Sequence, residues 1–549
     1  MLRRIFDSSF FIPIVGTLAV VLAWIGWMEA DRTPHDAFFY AIDSLAVGDF
    51  YKDSTSLKND AGEIIWNPWL EIARWLGLIF LAWAVGKTVG LLFADRFKAL
   101  RARMGKPDIV LMGDAEMLAP LADHVAASRP TLWLHPGMPV SVPGATVVSE
   151  RWSGSLYRAY RLGTAKAIVI AYEGAPEAQM AIARSLEVMG TRADIIVLAR
   201  DGAAMEALAH EYGVTRTRVI SAEDAAVRRL HERRPPFLAA VEREQKRLHS
   251  VIFGWTEASE AIVRDTLLSS LTTDLGKPRF TVFCANPKEN AAALALSAPE
   301  FAEVADISFE GGVIAGEPQY LPADTLRSVM AQDPVSRFYV CFADQRDNLV
   351  TAFRLTELVR AEGWNACGIY RYEHVRTGGG VDVPEDCDRP IGFGHAEDVA
   401  VGLGLVGDTP DRLARALHQA YRDAAPPDAP ANRPWDDLDE DLRGANRRNI
   451  VHLPAKLHSA GAVVTAGDGP LPQFPELEEG GALLESLAVL EHDRWMAERR
   501  LAGWRHAEMR DDRRRLHPDL IPYDALSEKA KSYDRNVITT LADALRQAG

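Results

Sequence analysis

From Ser8 to Met28 the chain has no charged residue, a run of 21 positions. At 1.5 Å of rise per residue a helix of that length spans about 30 Å, the hydrocarbon thickness of a bilayer. A helix apolar on every side needs lipid or a large protein core around it, so this run constrains the fold more than any other. MLRR precedes it, as it would a secretory signal, but the run exits through WMEAD with no small-x-small cleavage site. An uncleaved membrane helix is therefore expected.

A second span is expected from about Trp69 to Ala94, with Arg74 near its start and Lys87 near its end. Lys87 can run its stem along apolar surface and keep its ammonium at the interface. Six of the 13 tryptophans (Trp24, Trp27, Trp66, Trp69, Trp75 and Trp83) fall in the first 83 residues, mostly at the outer span ends, as an interfacial belt would. Arg3 and Arg4 precede the first span, and Arg96, Lys98, Arg101, Arg103 and Lys106 follow the second. The loop between carries Arg32, Lys52 and Lys58 among many carboxylates, so both termini are expected on the cytoplasmic side.

Between the spans, Pro34 and Asp36 can start a short helix through HDAFFYAIDSL, after which the chain reads DSLAVGD. This segment resembles the pore helix and filter of potassium channels, whose pattern is TTVGYGD. Gly48 and Asp49 match, and Ser44 stands for threonine. Ala46 replaces a glycine whose left-handed backbone an alanine would strain, and Val47 replaces the aromatic. The resemblance implies a degenerate pore lined by Asp43, Ser44, Leu45, Ala46, Val47, Gly48 and Asp49. In a tetramer, rings of Asp43 and Asp49 would favour a permeant monovalent cation. A plain surface loop is the alternative.

After residue 106 the pattern changes. DIVLMG, TLWLH, TVVSE, AKAIVIAYE, ADIIVLARD and TRVISAE read as strands separated by amphipathic helices. From Ser250 the alternation begins again with VIFGWTEASEAIV, RFTVFCANP, RFYVCFADQ and NACGIYRYE. Strand–helix alternation of this kind is the mark of a parallel, doubly wound sheet. Two such units behind two spans, with phrases such as LGTAKAIVIAYEGAPEAQMAIA, resemble the regulator-of-potassium-conductance (RCK) architecture over about residues 107–380. That resemblance implies a homotetrameric ring on the inner face of a bacterial inner membrane.

A dinucleotide fingerprint needs three glycines and an acid after the second strand. The first unit offers Gly113, Ala115 and Leu118, and its second strand ends at His135. The second offers Gly254, Thr256 and Ser259, and its second strand ends at Asn286. Both are degraded, so a scaffold or altered-ligand role is expected over ordinary NAD binding. Any ligand in these crevices would meet Gly113, Ala115 and His135, or Gly254, Thr256 and Asp344, although Asp344 in a solvated loop is the plainer reading.

A Pro- and Asp-rich linker, AAPPDAPANRPWDDLDEDL, separates helical blocks DRLARALHQAYRD and LRGANRRNIVHLPAKLHSAG. In LLESLAVLEHDRWMAERRLAGW, Glu491, Trp495 and Glu498 share one helix face, and His492, Trp495 and Arg499 an adjoining stripe. EHDRWMAERRLAGW, LHPDLIPYDAL and KSYDRNV resemble the ryanodine-receptor-type (RyR) repeat of bacterial proteins, over about residues 408–546. The resemblance implies a sensor of a nucleotide-derived, ADP-ribose-like ligand. His492, Arg494, Trp495, Arg499, Trp504, His517, Tyr523, Asp534 and Arg535 are the candidate ligand residues: aromatics to stack a base, arginines to meet phosphate. Core packing for Trp495 and Trp504, a turn role for His517, and structural pairing of Asp534 and Arg535 with the EHDRW helix are the alternatives.

The expected organisation is multidomain. It has a two-helix transmembrane pore region (spans 1–30 and 67–97 around a pore loop 31–66), a basic linker 98–106, two α/β Rossmann-like units (107–235 and 247–400) and a mainly α RyR domain (408–549). A net charge of −15 speaks against nucleic acid as a partner. Cys284, Cys341, Cys367 and Cys387 have no metal-type spacing, and no metal or catalytic motif is present. The function expected is a ligand-gated cation channel, a homotetramer in the lipid bilayer. A membrane-anchored sensor without a pore is the alternative.

Overall fold

The computed structural model describes residues 11–30, 32–43, 57–58, 64–92, 94–137, 140–199, 202–312, 321–364, 368–373, 389–407, 409–424, 431–467, 469 and 471–548. The chain divides into two compact units, Met1–Leu100 and Arg101–Gly549.

Among its described residues the first unit holds the helices α1 (Phe11–Met28), α2 (Pro34–Asp43) and α3 (Pro68–Leu92). Thr33 caps α2, accepting from the Asp36 amide at 3.3 Å while its hydroxyl donates to the Asp36 carboxylate at 2.7 Å. Asn67 caps α3 through the amides of Trp69 and Leu70, satisfying donors that a helix start otherwise leaves open. Small residues make the contacts: Ala23, Ala37, Ala41 and Ala73 are buried with Trp27 and Leu70. Thus α2 packs back against α1 and the start of α3. Glu29 ties the ends, accepting from Asn67 Nδ2 and Trp69 Nε1 at 3.1 Å each. The outward faces are apolar, with Ile14, Phe39, Trp75 and Ile79 all more than half exposed. Within α3, Pro68–Val89 is long and apolar enough to cross a bilayer, while Ile14–Met28 is apolar but shorter. Residues 8–10 of the expected first span lie outside the described residues, as do the filter residues from Ser44 to Asp49; Asp43 is the last residue of α2.

The basic stretch after α3 forms a helix, α4 (Ala94–Met104). The second unit then builds two sheets. Strands β1 (Ile109–Gly113), β2 (Thr131–His135), β3 (Thr146–Ser149), β4 (Ala167–Ala171), β5 (Asp194–Leu198) and β6 (Thr217–Ile220) form the first. Its order is β3-β2-β1-β4-β5-β6, all parallel. Strands β7 (Arg247–Phe253), β8 (Gly276–Phe283), β9 (Asp306–Glu310), β10 (Arg337–Val340), β11 (Ile369–Tyr372) and β12 (Ile391–Phe393) repeat that order as β9-β8-β7-β10-β11-β12. This is the 3-2-1-4-5-6 order of the Rossmann fold. Runs such as IVLMG and AIVIA are wholly buried, as a parallel strand covered on both faces requires.

The sheets share helices. Helix α5 (Leu118–Ala126) covers the first sheet, and α6 (Ala222–Arg233) leads toward the second. The second sheet is accompanied by α7 (Glu257–Ser269) and α8 (Pro287–Ser297), and its last strand is followed by α9 (Ala396–Gly402). Val399, Ala400, Leu403 and Leu405 pack not on the second sheet but in the core of the first. The expected boundary at residue 400 therefore falls inside a helix packed in the core of the first sheet. Gly402 makes the crossing possible, since a Cβ there would run into the Ala225 carbonyl of α6.

The remainder is mainly helical: α10 (Thr409–Ala424), α11 (Glu440–Val451), α12 (Leu453–Ser459), α13 (Ala482–Leu501) and α14 (Glu528–Ala548). LRGANRRNIVHLPAKLHSAG, expected as one block, is two helices, because Pro454 in the first turn of α12 cannot continue α11. Leu413 and Leu417 of α10 pack with Leu541 and Leu545 of α14. Buried Arg443 joins this part to the first sheet, donating to Asp194 at 3.3 Å and to the Trp435 and Asp436 carbonyls.

Candidate functional site

Helix α13 has two chemically different faces. On the inner one, Arg494 is 3 % exposed. Its Nε and Nη2 donate to Glu491 at 3.0 and 2.7 Å, and Nη1 donates to Glu498 at 2.7 Å. Lys456 of α12, with no exposed surface, places Nζ 2.7 Å from Glu491 and donates to Asn449 at 3.1 Å. Arg448 of α11 lies 2.9 Å from Glu498. Burial alone would raise the Glu491 carboxyl, but Arg494 and Lys456 outweigh it and hold the group well below the usual carboxylate range. Arg494, expected to meet phosphate, is instead held by helix-spaced carboxylates of α13 itself, and those carboxylates tie α13 to α12 through Lys456 and to α11 through Arg448.

The other face is aromatic. The His492 ring stacks on Trp495 at 5.5 Å and meets Tyr523 edge-on at 5.9 Å. His517 stands edge-on to both Trp495, at 5.0 Å, and Trp504, at 6.1 Å. A two-residue parallel pair, β13 (Arg505–His506) and β14 (Leu516–His517), brings His517 there. Trp504 arrives because α13 stops at Gly503 (φ +77°), whose left-handed turn closes through Trp504 N donating to Arg499 O at 3.0 Å. The Arg499 guanidinium lies 5.8 Å from the Trp495 ring centre and 5.1 Å from that of Trp504. It makes no ion pair within 4.0 Å among the described residues, and its buried Nε has no hydrogen-bond partner there. Burial lowers its affinity for the proton, partly offset by Glu498. A cation resting on two indoles with no carboxylate against it is open to an anion.

The two histidines have different states. His492 Nε2 donates to the Ile521 carbonyl at 2.9 Å, and Nδ1 faces the Asp534 carboxylate at 3.3 Å. Two facing oxygens favour the doubly protonated ring; burial pushes its pKa down, but Asp534 and the Ile521 carbonyl outweigh it. Burial also pushes the Asp534 carboxyl up against the pull of His492. His517 is held below its usual value by burial, and its Nδ1 accepts from the Asp519 amide at 3.1 Å. Its proton is therefore on Nε2, free to donate toward a ligand.

Tyr523 and Arg535 form the far wall. Tyr523 donates to Glu485 at 3.0 Å, and burial with that contact pushes its hydroxyl up to about 12. Arg535 Nε donates to Glu485 at 2.7 Å and Nη1 to Glu528 at 3.2 Å, so its charge is already matched. Of the nine expected residues, then, the structure gathers His492, Trp495, Arg499, Trp504, His517 and Tyr523 into one cluster. Asp534 orients His492, Arg494 is bound on the inner face of α13, and Arg535 shares Glu485 with Tyr523. Arg515 donates to the Ala502 carbonyl at 2.6 Å at the end of α13. Lys456, Arg448 and Glu485 were not anticipated; a lysine inside the apolar phrase HLPAKL was the available signal for the first.

The sheet crevices are differently furnished. Gly113 (φ +130°) has the Ala171 carbonyl where a Cβ would be, and Ala115 N donates to that same carbonyl. The adjacent Asp114 carboxylate accepts from the Glu173 amide at 3.1 Å, placing negative charge where a pyrophosphate would approach. His135 Nδ1 accepts from Gly137 N at 3.0 Å. In the second unit a Cβ at Gly254 would come 2.6 Å from the Cys341 carbonyl, and Thr256 donates to that carbonyl at 3.0 Å. Asp344 caps the helix Gln345–Ala361 through the amides of Arg346 and Asp347. All six expected crevice residues thus carry structural contacts. Among the described residues no group of three or more His, Cys, Asp or Glu is placed to hold a metal ion.

Fold and site together define a chain with two parallel-sheet Rossmann-like units and a mainly helical C-terminal part that carries an aromatic–arginine cluster. Residues 477–549, which hold α13, the cluster and α14, match the family model of the RyR domain. Among solved structures the chain is similar to one described as "GsuK Channel", with 13 % identity and a TM-score of 0.34 over 73 % of this chain and 96 % of that one, a likeness too distant to bear on function. No curated protein matches.

Proposed function

We propose that this chain is a subunit of a ligand-gated cation channel of a bacterial inner membrane, opened or closed by a nucleotide-derived ligand bound at the RyR segment. The carrying observation is Arg499, a cation between Trp495 and Trp504 with no ion pair within 4.0 Å among the described residues, with His517 edge-on to both indoles. Planar aromatic faces with a cation and a neutral donor suit a base joined to phosphate. Support for a conducting unit is the packing of α2 back onto α1 and α3 through Ala37 and Ala41, together with the apolar outer faces of these helices. In this reading four copies assemble around one axis, and the two-sheet units convey ligand occupancy to the pore. Shifting such an equilibrium from 1:99 to 99:1 takes about 5.5 kcal/mol of differential binding, which four sites can share.

A second reading, a membrane-anchored sensor regulating a separate transporter, is favoured by Ala46 standing where a filter glycine is expected. One experiment separates them: the whole chain in planar bilayers, with and without ADP-ribose, alongside Arg499→Leu. ADP-ribose-dependent cation current, lost in Arg499→Leu, is the expected outcome. Binding of ADP-ribose to a chain that never conducts selects the sensor, and no binding removes the ligand assignment.

A further inference from the structure

The aromatic–arginine cluster is not held by the helical part alone. Glu300, in the turn between α8 and β9 of the second sheet unit, reaches the end of α13 and the strand beyond it. Arg500 Nε donates to Glu300 Oε2 at 3.3 Å, and the His506 amide donates to Oε1 at 3.4 Å. Leu501 packs on the core of the second sheet unit, which includes Phe301. Between these contacts, a Cβ on Gly503 would come within 3.0 Å of the Ser297 carbonyl at the end of α8, so only glycine allows this approach at φ +77°. Arg500 and Gly503 neighbour Arg499 and Trp504, and His506 is paired directly with His517. One carboxylate thus grips the end of α13 and the strand paired with His517, on either side of Trp504.

We propose that Glu300 is a positioning residue for the aromatic–arginine cluster, and that the second sheet unit senses the state of the cluster through it. The inference rests on the cluster being the site assigned above, and it makes the joint a route by which occupancy reaches the sheets. Coupling of this kind is reciprocal: what loosens one side loosens the other.

The test is amide hydrogen exchange by mass spectrometry on the whole chain, without ligand. Glu300→Ala is expected to accelerate exchange of residues 503–517 by about tenfold or more, while α14 and the first sheet are unmoved and the global unfolding midpoint is retained. Glu300→Gln, which keeps an acceptor for His506 but loses the charge facing Arg500, is expected to fall between. Glu303→Gln, in the same turn, serves as the control. In the reverse direction, Trp504→Ala and His517→Ala are each expected to accelerate exchange of residues 297–303. Unchanged exchange at 503–517 in Glu300→Ala overturns the positioning role; unchanged exchange at 297–303 in both cluster variants overturns the coupling. Addition of ADP-ribose is a separate arm: if it protects nothing at 495–517 the ligand assignment fails, and the exchange comparisons still decide Glu300.

Discussion

Replacing Glu491 by glutamine should damage the helical part far more than replacing its partner Lys456 by methionine. The buried cluster holds three cations, Lys456, Arg494 and Arg448, and two carboxylates, Glu491 and Glu498, a net charge of +1. Glu491→Gln raises this to +2 and leaves Lys456, with no exposed surface, without a carboxylate partner. Breaking a buried pair by removing one charge costs about 3–5 kcal/mol, because the survivor keeps its desolvation penalty. Lys456→Met instead brings the net charge to zero with an apolar side chain of similar length. Glu491 remains bidentate to Arg494, so the cost should be about 1 kcal/mol or less. At about 1.4 kcal/mol per decade, exchange of the Leu487–Ala497 amides should accelerate by about two to four decades in Glu491→Gln and by less than about one decade in Lys456→Met. Equal acceleration in the two variants, or a larger effect of Lys456→Met, would refute the view that unmatched charge, not lost contact, sets the penalty.

Three further outcomes are expected. Trp504→Ala should weaken ADP-ribose binding, measured by isothermal titration calorimetry, by about 5- to 150-fold, the equivalent of about 1–3 kcal/mol for one stacked base; unaltered affinity removes Trp504 from the site. Because the His492 pKa is raised in the folded state, its stabilising contribution is complete below about pH 6.5 and fades as pH rises through the raised value. The urea midpoint should therefore be higher at about pH 6 than at about pH 8.5, with the difference reduced in His492→Gln; an unreduced difference rejects the imidazolium assignment. Gly402→Val should disrupt the α6–α9 crossing, where no Cβ fits beside the Ala225 carbonyl, and lower the thermal midpoint of the whole chain; an unchanged midpoint would show that α9 can move away without loss.

Much of the α/β part is legible as sequence because its signal is local. DIVLMG, TLWLH and AKAIVIA are continuous apolar runs, and each is a buried parallel strand. Strands β9 and β12 escape the same reading for physical reasons. DISFE has charged residues at both ends and only half-buried residues between, and Ile391–Phe393 is three residues with a glycine at its centre. Each becomes a strand because a neighbour supplies a ladder of hydrogen bonds. At the site, the i, i+3 and i+4 spacing marks His492, Trp495 and Arg499 as neighbours, since helix period is a property of the chain alone.

What the sequence determined without help is therefore whatever depends on residues within one turn or one strand of each other: the uncharged run Ser8–Met28, the alternation of strands and helices, and the stripe on α13. Tertiary structure decided which charges cancel. Arg494 and Arg499 lie five residues apart on one helix, yet Arg494 is bound by two carboxylates in a cluster closed by Lys456 and Arg448, and Arg499 meets Trp504 beyond the helix end, beside His517 on a paired strand. An arginine's availability depends on the dielectric around it and on the acids within about 4 Å, and those are set by elements distant in the chain.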